Sequence, residues 1–218
     1  MLRDEAVPSK DSVIELYERH HQAYDRDRTG STFFERGWVD RFLDLASPGG
    51  SILDLGCGVG EPIARHVVER GFEVVGVDGS PSMVERCRSR FPDSEWIWSD
   101  MRALDLGRRF DGIIAWDSFF HLTAADQRAL IPRMASHAGA GAPLLFTSGP
   151  AAGEAIGTYQ GERLYHASLD PLEYEQLLAD NGFSVTAFVA EDPECGEHTV
   201  WLATHGPQLV KRGLLGPE

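Results

Sequence analysis

Short apolar runs alternate along this chain with stretches in which apolar residues return every three or four positions. The runs are SILDL (51–55), FEVVGVD (72–78), SEWIW (94–98), FDGIIAW (110–116), PLLFTSG (143–149), SVTAFVA (184–190) and HTVWLATH (198–205). Rich in β-branched and aromatic residues, they predict strands. The spacing between them predicts helices over 61–70, 79–91, 123–137 and 171–183, with Ser80, Thr123 and Asp170 as caps and Pro62, Pro81 and Pro171 in first turns. Two more helices precede the first strand. Val13, Ile14, Tyr17, His21 and Tyr24 mark one over 11–24; Phe34, Trp38, Phe42 and Leu45 mark the other, after the turn-prone YDRDRTGS. The glycine-rich stretch 150–170 has no clear period and reads as a long loop, a lid or substrate wall in which Tyr165 and His166 are the most chemical residues. Strands alternating with helices and closed by a β pair predict an α/β fold, a three-layer sandwich with a mostly parallel sheet.

Chemistry concentrates where the first strand ends. Gly56, Gly58 and Gly60 alternate there, so bare backbone can take positive φ and approach a ligand, and the next helix points its positive end at the same place. Asp54 sits just before them in an otherwise apolar strand. A buried carboxylate is costly unless turn amides or a ligand cation satisfy it. The dinucleotide pattern GxGxxG would put Glu61 at the third glycine, where a carboxylate meets a pyrophosphate, so an NAD-linked oxidoreductase fits poorly. Asp78 closes the second strand, where an acid can accept both ribose hydroxyls of an adenosine, and Asp100 follows the third, where an acid can accept from an adenine amino group. Three carboxylates therefore face one crevice.

Asp54, Gly56, Gly58 and Gly60 resemble motif I of the class I S-adenosylmethionine (SAM) dependent methyltransferases, and Asp78 and Asp100 stand at that family's second and third motif positions. The resemblance spans about residues 35–205. It implies a Rossmann-like seven-stranded sheet in the order 3-2-1-4-5-7-6 under an N-terminal helical cap (11–46). It also implies SAM as cofactor, S-adenosylhomocysteine as product, and methyl transfer to an O, N or C nucleophile of a small molecule. Its cofactor contacts would be Asp54, Gly56, Cys57, Gly58 and Gly60 of the loop; Asp78 and Gly79 after strand two; Met83 on the adenine; Asp100 and Met101; and Tyr24, Trp38 and Trp116 as aromatic neighbours. The segment after strand four lies nearest the chemistry in the family, so Asp117 and Ser118 belong there with His121, the first candidate for a base; His166 is the second. No Asn-Pro-Pro-Tyr run follows strand four, which leaves the acceptor atom open, and a SAM-fold binding or regulatory protein or a cyclase stands as the alternative to a transferase.

Composition narrows this picture. At 218 residues with 42% hydrophobic content, the chain suits one domain over 1–218, with tails at 1–10 and 206–218. No apolar run approaches the roughly 20 residues of a bilayer span, and MLRDEAVPSK is too polar for a signal peptide, so a cytoplasmic protein off the membrane is expected. A net charge of −14 repels phosphate backbones and argues against nucleic acid. Cys57, Cys87 and Cys195 form no metal-like spacing, and Glu197 and His198 point to opposite faces of a strand; no metal is expected. The sequence leaves open whether the chain is a homodimer.

Overall fold

Along β1 (Ser51–Leu55) successive side chains part to opposite faces, and that alternation sorts the whole core. The computed structural model describes residues 10–206. Beyond Lys10 and Gly206, the tails expected at 1–10 and 206–218 lie outside the described residues. Leu53 and Leu55 join Val75 and Val77 of β2 (Glu73–Asp78), Ile113 of β4 (Gly112–Ala115), and Leu144 and Phe146 of β5 (Pro143–Ser148) in one cluster. That cluster packs on α5 (Ala124–His137) and α6 (Pro171–Asp180) through Ile131, Met134, Tyr174 and Leu178. Ile52, Val74, Ile114 and Leu145 face the other way with Trp96 of β3 (Glu95–Trp98), against α2 (Arg36–Leu43), α3 (Ile63–Glu69) and α4 (Pro81–Arg90).

The antiparallel β8 (Phe183–Asp192) and β9 (His198–His205) close the sheet, whose order is β3-β2-β1-β4-β5-β9-β8. Numbered within this sheet alone, that is the expected 3-2-1-4-5-7-6. The caps are also as expected: Ser80, Thr123 and Asp170 each accept from a backbone N–H of the first turn.

Two expectations are corrected. Residues 150–170 are not a loop: β6 (Gly153–Tyr159) and β7 (Glu162–Ser168) form an antiparallel hairpin as a separate two-stranded sheet. Its outer strand is exposed along most of its length, so no apolar alternation marks it. The first helix, α1 (Lys10–Gly30), runs through most of the segment read as a turn, with a break in helical geometry at His20. Arg28 near its end forms an ion pair with the wholly buried Glu35, which holds the polar stretch in place. Val13 and Leu16 pack α1 on Leu164, Tyr165 and Ala167 of β7, and Arg19 and His20 both reach Glu162.

Trp201 of β9 is fully buried, stacked on Phe146 at 5.7 Å, with its indole N–H donated to Ser148 Oγ at 3.0 Å. Trp201→Ala should therefore cost about 3–5 kcal/mol in urea unfolding. Trp201→Phe, which keeps most of the volume, should cost clearly less.

Candidate active site

The loop after β1 takes positive φ at Gly56 (73°), Gly58 (54°) and Gly60 (76°). Glycine is required for close approach as well: a Cβ on Gly56 would come within 2.3 Å of Ser118 Cβ, and one on Gly58 within 2.8 Å of the Tyr24 ring. Asp78 holds the loop to the start of α4, since Oδ2 accepts from Gly58 N–H at 2.8 Å and Oδ1 from Ser80 N–H at 2.8 Å. Burial nevertheless pushes its pKa up to about 6, against those two hydrogen bonds. Asp54 goes further. Its pKa is pushed up to about 7 by burial and then by the charge of Asp78, and among the described residues no donor meets its carboxylate. The turn amides that might have satisfied it are taken elsewhere, those of Gly56 and Cys57 by Val77 O and that of Gly58 by Asp78.

Gly56, Gly58 and Asp78 border a cavity of about 90 Å³, whereas Asp54 and Gly60 are not among its lining residues. Of the residues singled out in the sequence, Gly56, Gly58, Asp78, Gly79, Met83, Asp100, Met101, Tyr24 and His121 line it. Asp100 is engaged from within: Oδ1 accepts from Arg102 N–H and Oδ2 from the Arg102 guanidinium. α1 forms the roof, anchored by Glu18, which accepts from the hydroxyls of Ser80 and Ser82 and from the Ser82 N–H. Tyr17 on the same helix lines the cavity too, as do Val13, Ile14, Ser80, Asp117 and Ser118. The regular spacing of Tyr17 with Ile14 and Tyr24 marked a buried helix face but gave no sign of what that face covers.

Other expected contacts lie elsewhere. Trp38 does not line the cavity; it is buried on α2, where Asp192 Oδ2 supplies the acceptor that its N–H needs at 2.8 Å. Trp116 stacks on His198 at 5.6 Å, with its Nε1 buried and unpartnered among the described residues. Gly60 turns against Phe91, and the Cys57 thiol is buried beside Cys87, which together with burial drives its pKa well up. Cys57 is thus inert packing.

A second, more open cavity of about 470 Å³ lies between the β6–β7 hairpin and the β8–β9 connection, and His166 lines it. His121 of the first cavity and His166 of the second stand 4.8 Å apart between ring centroids, with Phe120 against both, so these rings form the wall between the two spaces. His121 donates from Nδ1 to Tyr165 O (2.9 Å) and accepts at Nε2 from Tyr17 OH (3.1 Å). Burial lowers its pKa to about 4, so it is neutral at pH 7 with its lone pair already taken by Tyr17. His166 is also lowered by burial, against the pull of the Leu164 carbonyl and the Asp117 charge. A second bridge joins the cavities: Asp117, held at φ 48°, meets His198 Nε2 at 2.9 Å while His198 Nδ1 donates to Cys195 O at 2.8 Å. Burial pulls the His198 pKa down, but the Asp117 hydrogen bond and charge and the two carbonyls outweigh it, so its pKa is raised and the protonated form is favoured.

Residues 52–141 match the family model described as methyltransferase domain. The sheet order and the loop agree with it. The chain has the methyltransferase fold. A dTDP-3-amino-3,6-dideoxy-α-D-glucopyranose N,N-dimethyltransferase from Streptomyces fradiae is 32% identical over 127 residues, 57% of this chain and 48% of that protein. The chain therefore spans about half the length of that relative. Among solved structures of the methyltransferase fold, the magnesium protoporphyrin IX methyltransferase of Synechocystis PCC 6803 superposes with a TM-score of 0.68 at 19% identity, covering 93% of this chain and 100% of the other. The 1,6-didemethyltoxoflavin-N1-methyltransferase of Burkholderia thailandensis gives 0.69 at 17%, covering 95% and 94%. Among the described residues, no helix is long and apolar enough to cross a membrane and no cluster of His, Cys, Asp or Glu could hold a metal ion.

Asp54 makes stability depend on pH with a definite sign. Its folded pKa of about 7 lies above the ordinary 3.8, so between those values the folded state keeps a proton that the unfolded state has lost. Raising the pH through that window should lower the stability of the ligand-free protein by up to about 1.4 kcal/mol per pH unit. Asp54→Asn should flatten this slope in urea titrations run from pH 4 to pH 8.

Proposed function

We propose that this chain transfers a methyl group from SAM to a nucleophilic O, N or C of a small molecule. The observation that carries the reading is the Asp54 carboxylate, buried at the glycine loop without a protein donor. It is a site for a cation, and SAM brings an ammonium group on its amino-acid end. The cavity next to it offers Asp78 for ribose hydroxyls, since each carboxylate oxygen keeps a lone pair beyond its one backbone partner, and Met83 as an apolar face for adenine. Gly56, Gly58 and Gly79 allow close approach, and Asp100, Met101 and Tyr24 complete the walls. The activities of the similar proteins, methylation of an amino sugar and of two ring systems, support a small-molecule acceptor.

When bound, SAM supplies a methyl group already activated by a positively charged sulfur. The protein's part is alignment, and holding two reactants in near-attack geometry supplies roughly 7–11 kcal/mol. Tyr17 and Tyr24 on the roof keep water out. Where the acceptor must lose a proton, we assign the base to His166, an imidazole on the second cavity whose pKa burial lowers. His121, with Nε2 occupied by Tyr17, fixes the wall and can take a proton only as Tyr17 yields. We place the enzyme in the cytoplasm and read the chain as one domain, α1 and α2 being its cap.

Calorimetric titration with S-adenosylhomocysteine tests the donor site: micromolar binding is expected, and silence from folded, ligand-free protein sinks the reading. Asp78→Asn should weaken that binding by about 1.5–3 kcal/mol, the worth of a hydrogen bond to a charged group. Binding should also release protons near pH 7, because a ligand cation draws down the Asp54 pKa; the apparent enthalpy should then vary with the ionisation enthalpy of the buffer. Once an acceptor needing deprotonation is in hand, His166→Ala should lower kcat by about 10²–10⁴ while leaving S-adenosylhomocysteine affinity intact.

A further inference from the structure

The roof helix ends on an arginine that no step of the proposed reaction uses. Arg28 stands one turn past Tyr24 on α1, on the face that covers the glycine loop, where the Tyr24 ring lies so close to Gly58 that a Cβ there would meet it at 2.8 Å. A guanidinium carries five N–H donors, yet the one hydrogen-bond partner of Arg28 among the described residues is the wholly buried Glu35, which accepts from Nη2. Its Nε is buried and has no partner among those residues. Polar groups held inside a protein are nearly always paired, so a guanidinium with donors left over beside a cavity is suited to a ligand that brings oxygens. Arg28 also acts on the groups around the loop: it is the positive charge that opposes the neighbouring acids at Tyr17, Tyr24 and Asp54.

Resting on the reading of Asp54 as the site of the SAM ammonium group, we infer that Arg28 receives the carboxylate of the same amino-acid end, so that the donor site selects ligands with that carboxylate and discriminates against decarboxylated ones. Ammonium and carboxylate hang from one carbon, and a site that takes the first must offer the second a donor close by. The glycine loop has little to offer. Its N–H groups at Gly56 and Cys57 go to Val77 O, that of Gly58 to Asp78 and that of Gly60 to Cys57 O. With those amides spent, a ligand carboxylate would meet Asp54, Asp78 and Asp117 uncompensated unless a cation stood by, and Arg28 is the cation whose charge acts on Asp54. The arginine that does line this cavity, Arg102, is held by Asp100, the acid expected on the adenine side. Glu35 acts as a positioning residue: it anchors the guanidinium through Nη2 and leaves the rest of the planar group to a second carboxylate.

Calorimetric titration of the full chain with S-adenosylhomocysteine and with its decarboxylated form tests this, since the second ligand keeps the adenosine, the thioether and the amine and lacks only the carboxylate. S-adenosylhomocysteine should bind about ten- to a hundredfold more tightly, the worth of a hydrogen bond to a charged group. The combined variant Arg28→Gln, Glu35→Gln removes both members of the buried pair and leaves no lone charge behind. Its preference should vanish through loss of S-adenosylhomocysteine affinity alone, the decarboxylated ligand binding as before. If thermal melting shows that this variant does not fold, Arg28→Lys takes its place; it keeps the buried charge but not the planar fork, and the preference should narrow to a few-fold. Equal or tighter binding of the decarboxylated ligand by the unaltered chain, a full preference that survives the change at Arg28, or a folded variant that weakens both ligands alike would each overturn the inference while the donor site stands. If neither ligand binds the unaltered chain, the donor site itself falls instead.

Discussion

Two carboxylates at the ends of neighbouring parallel strands are drawn out of bulk water at a cost, and the structure around them follows from how that cost is met. Asp54 and Asp78 lie on β1 and β2, paired in parallel register, and each raises the cost of ionising the other. Asp78 is offset by two backbone N–H groups, and those two bonds tie the glycine loop to the first turn of α4. Asp54 receives nothing comparable. A stable fold can carry one such debt when the core repays it, and this core does so on both faces of the sheet. Backbone strain gathers at the same place: Asp117, Glu191 and Glu197, three of the four non-glycine residues at positive φ among those described, border the two cavities.

The sheet was legible because its strands are buried on both sides and bounded by turn formers, which leaves little choice of register. The helix caps were legible for a local reason, as Ser80, Thr123 and Asp170 need only the next turn to act. The glycine loop combined a spacing with an acid at each strand end, and of that set Gly56, Gly58, Asp78 and Asp100 converge on one cavity. The β6–β7 hairpin was not legible because its outer strand β6 is exposed along most of its length and carries Gly153 and Gly157, which leaves no face-by-face pattern. Trp38 and Trp116 show a different limit. A sequence marks an aromatic as buried without telling which way the ring points, and a buried indole follows whatever acceptor or stacking partner the fold supplies, Asp192 for one and His198 for the other. Tyr17 was hidden in the same way, its hydroxyl meeting a histidine 104 positions away.

α1 and the hairpin belong to both spaces at once. Glu162 on β7 receives Arg19 and His20, and the next turns of α1 carry Tyr17 and Tyr24 over the glycine loop. Tyr165 and His166 lie on the same strand, three and four residues on. The roof of one cavity and the wall of the other are thus parts of one packed unit, joined by the small cluster around Leu164 and tied by Glu18 to the start of α4.

The hairpin shares no ladder with the seven-stranded sheet. Its length and residues can therefore change without shifting the register of any strand that positions Asp54 or Asp78. A chain built this way can change one wall of its second cavity by rewriting some sixteen residues, 153–168, while the glycine loop and the acid-bearing strand ends stay as they are. The independence is geometric, and it makes the hairpin the natural place to graft or shuffle.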